Sequence, residues 1–333
     1  MDNKLTKRRL SDLLTYDWIK ILCVLLAIIS VWELVFSVFA VKLTTGQHFK
    51  YYFDQDITTY GEVAFYEMLD DTFSYDVLKT NYEVIDAQYN TLNARLSIQE
   101  GDAVFANDFD KNDGKGTRAR IIIDSEKVIT YNALLENAKT YLTGFLKDEF
   151  SALTREEKVQ KALDFANFDD NFDFIKIENT FIKRNGKDNR FRKEQDKKGG
   201  ILSEIERIRN LCKQTKDFDY LMSLDVEGLF FKYTKFEQSV LLSDDKYKAT
   251  FEGYMQDEIK NGKGNAVYGI NVGALKNGQK NISDYFKRKD ESTADNIVLL
   301  VFDFTEYQPD LQYESISFIN TVIRNFSNLY DGR

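Results

Sequence analysis

Side chains able to do chemistry are few and scattered in this sequence. His48 is the sole histidine among 333 residues. A Ser–His–Asp relay or a histidine zinc site would have to be built around it, and no partner stands at a diagnostic spacing. Neither a G-x-x-x-x-G-K-[ST] phosphate loop nor a G-x-G-x-x-G dinucleotide loop is present. The acidic pairs Asp169-Asp170 and Asp244-Asp245 are adjacent, so their side chains diverge, whereas paired-carboxylate chemistry needs two groups facing each other. The stretch DFDKNDGKG, Asp108–Gly116, shares only its acidity with a calcium loop. Counted from Asp108, its sixth position is Asp113 where glycine is required, and its twelfth is Ala119 where glutamate is required. It reads as a solvated turn. No catalytic constellation, metal or cofactor is expected, and the chain is not read as an enzyme.

What remains are polar and aromatic groups near predicted strand ends. A first strand, His48–Asp54, ends in Phe53-Asp54. A short buried strand, Ala103–Ala106, runs into Asn107-Asp108, and the β-like stretch Ala266–Val272 carries Tyr268. In open α/β sheets, ligands bind beyond the carboxyl ends of the strands. Carboxylates and amides exchange hydrogen bonds with hydroxyls, and an aromatic face stacks on a sugar ring. Asp54, Asn107, Asp108 and Tyr268 are therefore the candidate ligand-binding residues.

One apolar stretch organises everything else. Ile21–Val41, ILCVLLAIISVWELVFSVFAV, has 21 residues and a single formal charge, Glu33. As a helix it spans about 31 Å, the thickness of a hydrocarbon core of roughly 30 Å. Burying Glu33 costs roughly 3 kcal/mol, and about a dozen Leu, Ile, Val and Phe residues each return about 0.3–0.6 kcal/mol. Insertion wins, and Glu33 becomes a candidate contact to a partner helix within the membrane. Lys4, Lys7, Arg8, Arg9 and Lys20 precede the segment, which places residues 1–20 in the cytoplasm and 42–333 outside. The rival is a cleaved signal peptide with Val38-Phe39-Ala40 at its cleavage site, but the apolar stretch exceeds the usual 7–15 residues.

Six basic and four acidic residues fall in 1–43, leaving 39 basic and 50 acidic residues beyond. That surface repels nucleic acid, which is excluded as a partner. Of the cysteines only Cys212 lies outside the apolar segment, at core-like helical spacing after Ile201, Ile205 and Ile208, so no internal disulfide is expected. A strand at Phe73–Val77, a helix carrying Tyr89, Leu92 and Leu96, and the Ala103–Ala106 strand predict a parallel crossover. Further strands are predicted at Arg120–Asp124, Val226–Phe231 and Asn296–Phe304. Helices are predicted around Leu134–Leu146, after the capping box Thr154-x-x-Glu157, and over Ile316–Tyr330. Lys183–Lys198, with eight basic and three acidic residues, reads as a mobile surface loop between two halves.

Two stretches carry a family resemblance. Asp86–Asp108, with Leu92, Ala94, Leu96, Gly101 and Asp102 before Val104-Phe105, resembles the cleft region of bacterial extracytoplasmic solute-binding proteins of the sugar type. Tyr268-Gly269-Ile270, with Ile297–Phe304 and the Ile316–Tyr330 helix, is similar to their later part. The resemblance implies a two-lobed α/β domain that captures a small carbohydrate beside an ABC permease, as solute receptor or transporter accessory. The alternative expectation is an extracytoplasmic sensor or envelope-assembly protein with the same fold and no transport role.

Overall fold

A computed structural model describes residues 18–39, 48–54, 57–60, 65, 79–84, 89–98, 100–107, 121, 127–167, 193–224, 226–232, 266–276, 280–289, 291–303 and 312–331. Contacts divide the chain into two units, 1–42 with 187–197, and 43–186 with 198–333. Helix α1, Trp18–Phe39, belongs to the first. Its window Trp18–Phe36 has a mean hydropathy of 2.4, with none of it buried, so α1 is long and apolar enough to cross a membrane.

The second unit is a mixed α/β body. Its described strands are β1 (His48–Phe53), β2 (Ile57–Thr59), β3 (Lys79–Val84), β4 (Ala103–Ala106), β5 (Phe230–Lys232), β6 (Val267–Asn271), β7 (Phe286–Arg288) and β8 (Val298–Val301). Six of them form one sheet in the order β3-β1-β4-β8-β6-β5. β1 is parallel to both β3 and β4; β8 is antiparallel to both β4 and β6, and β5 is antiparallel to β6. β2 leaves this sheet to pair antiparallel with β7. Strands before and after the basic stretch thus lie side by side in one sheet.

Alternation along β1 explains the layers. Phe49, Tyr51 and Phe53 join one buried cluster and Tyr52 the other. On the first face, Phe53 stacks on Phe105 at 5.0 Å, and Phe49 stacks at 4.6 Å on Phe318 of α6 (Gln312–Phe326). That cluster also takes residues from α3 (Tyr131–Thr143), α4 (Arg155–Asp164) and α5 (Glu194–Ser223). On the second face, Val104, Val298 and Leu300 pack with Leu92 and Leu96 of α2 (Tyr89–Ser97). A β8 covered on both faces accounts for its continuous apolar run, VLLV.

Local signals explain the helix starts. The Thr130 side chain accepts a hydrogen bond from the Ala133 N–H and caps α3. Thr154 and Glu157 form the expected reciprocal box at the start of α4. Cys212 is buried, its thiol donating to the Ala162 carbonyl at 3.3 Å.

Several boundaries differ from the sequence reading. The expected strand Phe73–Val77 lies outside the described residues; the described edge strand is Lys79–Val84. Ile121, placed in a strand by its apolar neighbours, is helical. The Val226–Phe231 strand shrinks to β5, because Val226–Leu229 closes a turn in which Gly228 takes φ +78°. Most of the basic stretch lies outside the described residues, but from Glu194 onward it is the first part of α5, with Glu194 and Asp196 in the turn where carboxylates favour a helix start.

Candidate ligand site at the carboxyl end of the sheet

Because β1 and β4 are parallel neighbours, both deliver their following residues to the same end of the sheet. From β1 the chain goes to β3 on one side; from β4 it goes on to β5 at the opposite edge. Adjacent parallel strands whose onward connections part in opposite directions make a topological switch point, the place where open α/β sheets hold ligands. Asp54 and Asn107 stand immediately after these two strands.

The structure brings that pair into contact. The Asn107 main-chain N–H donates to Asp54 Oδ2 at 3.1 Å. The Asp54 N–H donates to the Phe105 carbonyl at 3.0 Å, and its own carbonyl receives the Ile57 N–H at 2.9 Å. Asp54 is 5% exposed and Asn107 3%. The carboxylate therefore closes the strand pair, and the Asp54 main-chain carbonyl turns the chain toward β2.

Tyr268 is placed elsewhere. Ile270 pairs with Leu299 and Asn271 with Val298, so extending the register sets Tyr268 level with Val301, which pairs with Ala103. That is four residues from the level of Asn107, about 13 Å along the strands. Tyr268 is 1% exposed and packs in the cluster of Tyr52, Val104 and Leu300. Asp108 lies outside the described residues. Glu33, in α1, is exposed and belongs to the other unit.

Sequence reasoning missed Asn271. β6 runs the same way as β4, both being antiparallel to β8, so Asn271 ends its strand at the same edge as Asn107. Two strand spacings separate β4 from β6, about 10 Å. The Asn271 side chain accepts from the Gly273 N–H at 3.2 Å, which directs the following turn. The Glu291–Ile297 loop enters β8 at this edge, and there Thr293 donates to Asp295 at 2.8 Å and Asn296 takes φ 64°. An amide at the end of the AVYGINV run was the available signal; only its strand direction shows that it shares an edge with Asn107.

Carboxylate and amide groups along one sheet edge can exchange hydrogen bonds with a polyhydroxylated solute. Among the described residues, no group of three or more His, Cys, Asp or Glu gathers as a metal site. No family model, no curated protein and no solved structure matches this chain.

Proposed function

We propose that the chain is a membrane-tethered binding domain that takes a small carbohydrate at the carboxyl end of its sheet and works beside an ABC importer. The observation that carries this reading is the position of Asp54 and Asn107 at a switch point between parallel strands. In this reading α1 anchors the chain, its basic N-terminal arm stays in the cytoplasm, and residues 42–333 face outward. External protease on intact cells should then remove the exterior and spare the arm; a mature protein starting at Val41 would end the anchor model. For binding, the full chain in detergent is heated with a panel of mono- and oligosaccharides. A ligand at ~100 times its Kd adds about 2.7 kcal/mol of stability, a readable rise in Tm. Asn107→Ala or Asn271→Ala should reduce that rise. A panel that leaves Tm unchanged would reject solute capture.

A specific observation favours a second reading, an extracytoplasmic sensor or envelope-assembly protein without transport. Asp54 already accepts from the main chain of Asn107, and Tyr268 is core rather than a stacking platform. Under this reading no saccharide changes Tm.

A further inference from the structure

We infer that the Glu33 face of α1 docks a second membrane helix that carries a lysine or arginine at the depth of Glu33. This rests on the reading of α1 as membrane-spanning, and goes beyond it by assigning a face and a partner. At 100° per residue, Cys23, Ser30 and Glu33 fall within about a quarter of the helix circumference. Ile21, Val24, Ile28, Val31 and Val35 fall within another quarter, about half a turn away. α1 thus gathers Cys23, Ser30 and Glu33 on one side, with Leu26 and Ile19 between them, opposite a side built from β-branched apolar residues. No described residue pairs with Glu33, whose side chain is exposed.

Depth makes the carboxylate consequential. Glu33 stands about 7 Å beyond the midpoint of Trp18–Phe39, well inside a hydrocarbon half-thickness of roughly 15 Å. Its side chain is too short to reach the interface as lysine and arginine do. Ser30 lies one turn away and, being small, lets another backbone approach the acid closely. Charge selects the occupant. A second copy meeting this face would set two carboxyl groups together without a cation, whereas a basic side chain on a neighbouring helix neutralises Glu33 and gives it charge-assisted hydrogen bonds.

The test uses the full chain in phosphatidylcholine vesicles. The probes are three fluorescent polyleucine membrane helices, one with a lysine at the depth of Glu33, one with that lysine moved two turns away, and one without it. Energy transfer should show the matched helix binding at least tenfold more tightly than the other two. Glu33→Leu should abolish that preference, and Ser30→Leu should weaken it by crowding the approach. Val31→Leu, on the opposite side, should leave it unchanged. Equal binding of the three probes, or a preference that survives Glu33→Leu, overturns the proposal. So does self-association of labelled copies that Glu33→Leu removes, which would make a second copy the occupant. Protease access from both sides of the vesicle is read first. An α1 that does not insert overturns the membrane reading together with this one, whereas an inserted α1 indifferent to lysine overturns this one alone.

Discussion

Asn320 of α6 donates to the Gln214 main-chain carbonyl at 2.8 Å and to Gln214 Oε1 at 2.9 Å, tying the last helix to the middle of α5. Its own carbonyl oxygen accepts from the Tyr330 hydroxyl at 2.6 Å. Arg324 extends the set, donating to Gln214 and Asp217 while lying over the Tyr330 ring at 5.2 Å. Asn320 is fully buried, so its partners lose their donor or acceptor in a place water does not replace it. Asn320→Leu should therefore cost about 2–4 kcal/mol despite its similar size, read from the urea midpoint of the full chain in detergent. A loss under about 0.5 kcal/mol would show that the network is not a structural tie.

Gly101 should tolerate no side chain. It takes φ +105°, where L residues are strained, and a Cβ there would collide with the ring of Tyr52, itself buried beside Val104. Gly101→Ala should cost about 2 kcal/mol or more, and shrinking Tyr52 to leucine should recover only part of that, because the backbone strain stays. Full recovery in the double variant would make the ring contact the whole effect.

Asp54→Ala should destabilise by about 1–3 kcal/mol, since the buried Asn107 N–H loses a charged acceptor at 3.1 Å. Asn271→Ala removes only a turn contact and should cost about 1 kcal/mol or less. Unfolding midpoints of the two variants decide it. Equal losses would place Asp54 among ordinary turn residues.

Glu136 gives a pH signature. The hydrogen bond from Arg155 at 2.7 Å, aided by Lys139, holds its carboxyl below the ordinary range. A carboxyl lowered by folding stabilises above its unfolded value of about 4.3 and loses that stabilisation as pH falls through the folded value. Both side chains are about half exposed, so the effect at neutral pH should stay under about 1 kcal/mol. Glu136→Gln should show this small loss at pH 7 and none near pH 3. A loss of equal size at both would assign it to packing.

Cys212 should be chemically silent while the protein is folded. Burial pushes its thiol up to about 12, and the thiolate is the reactive form. In a Cys23→Ser background, a thiol reagent at pH 8 should label Cys212 only at the rate of unfolding. Rapid labelling without denaturant would contradict its burial.

Elements with one dominant period were legible in the sequence. β1 alternates, α6 repeats its apolar residues every three or four positions, and β8 is apolar throughout. Edge strand β3, KTNYEV, sets Thr, Tyr and Val against Lys, Asn and Glu, and with only two apolar residues its strand signal is weak. The helical start of α5 was hidden because its charges look like a solvated loop until Ile201 begins the apolar stripe. At the candidate site, the strand ends that hold Asp54 and Asn107 were legible, but not their mutual hydrogen bond, which depends on which strands become neighbours. The level of Tyr268 was hidden by the same gap. Position within β6 fixes its level on the sheet, and that level depends on pairing to β8.

That pairing also sets an order of events in time. Residues 298–301 lie between β4 and β6, yet they follow the other five strands of that sheet in the chain and are synthesised after all of them. Until they arrive, β3-β1-β4 and β6-β5 are two partial sheets, with Ala103–Ala106 and Val267–Asn271 offering unpaired, apolar edges. Joining them requires closing a loop of nearly two hundred residues between β4 and β8, a slow step by its sequence separation. A chain truncated before β8 should therefore accumulate as aggregates rather than as a smaller folded domain, because the strand that joins the two halves of the sheet is made after the other five.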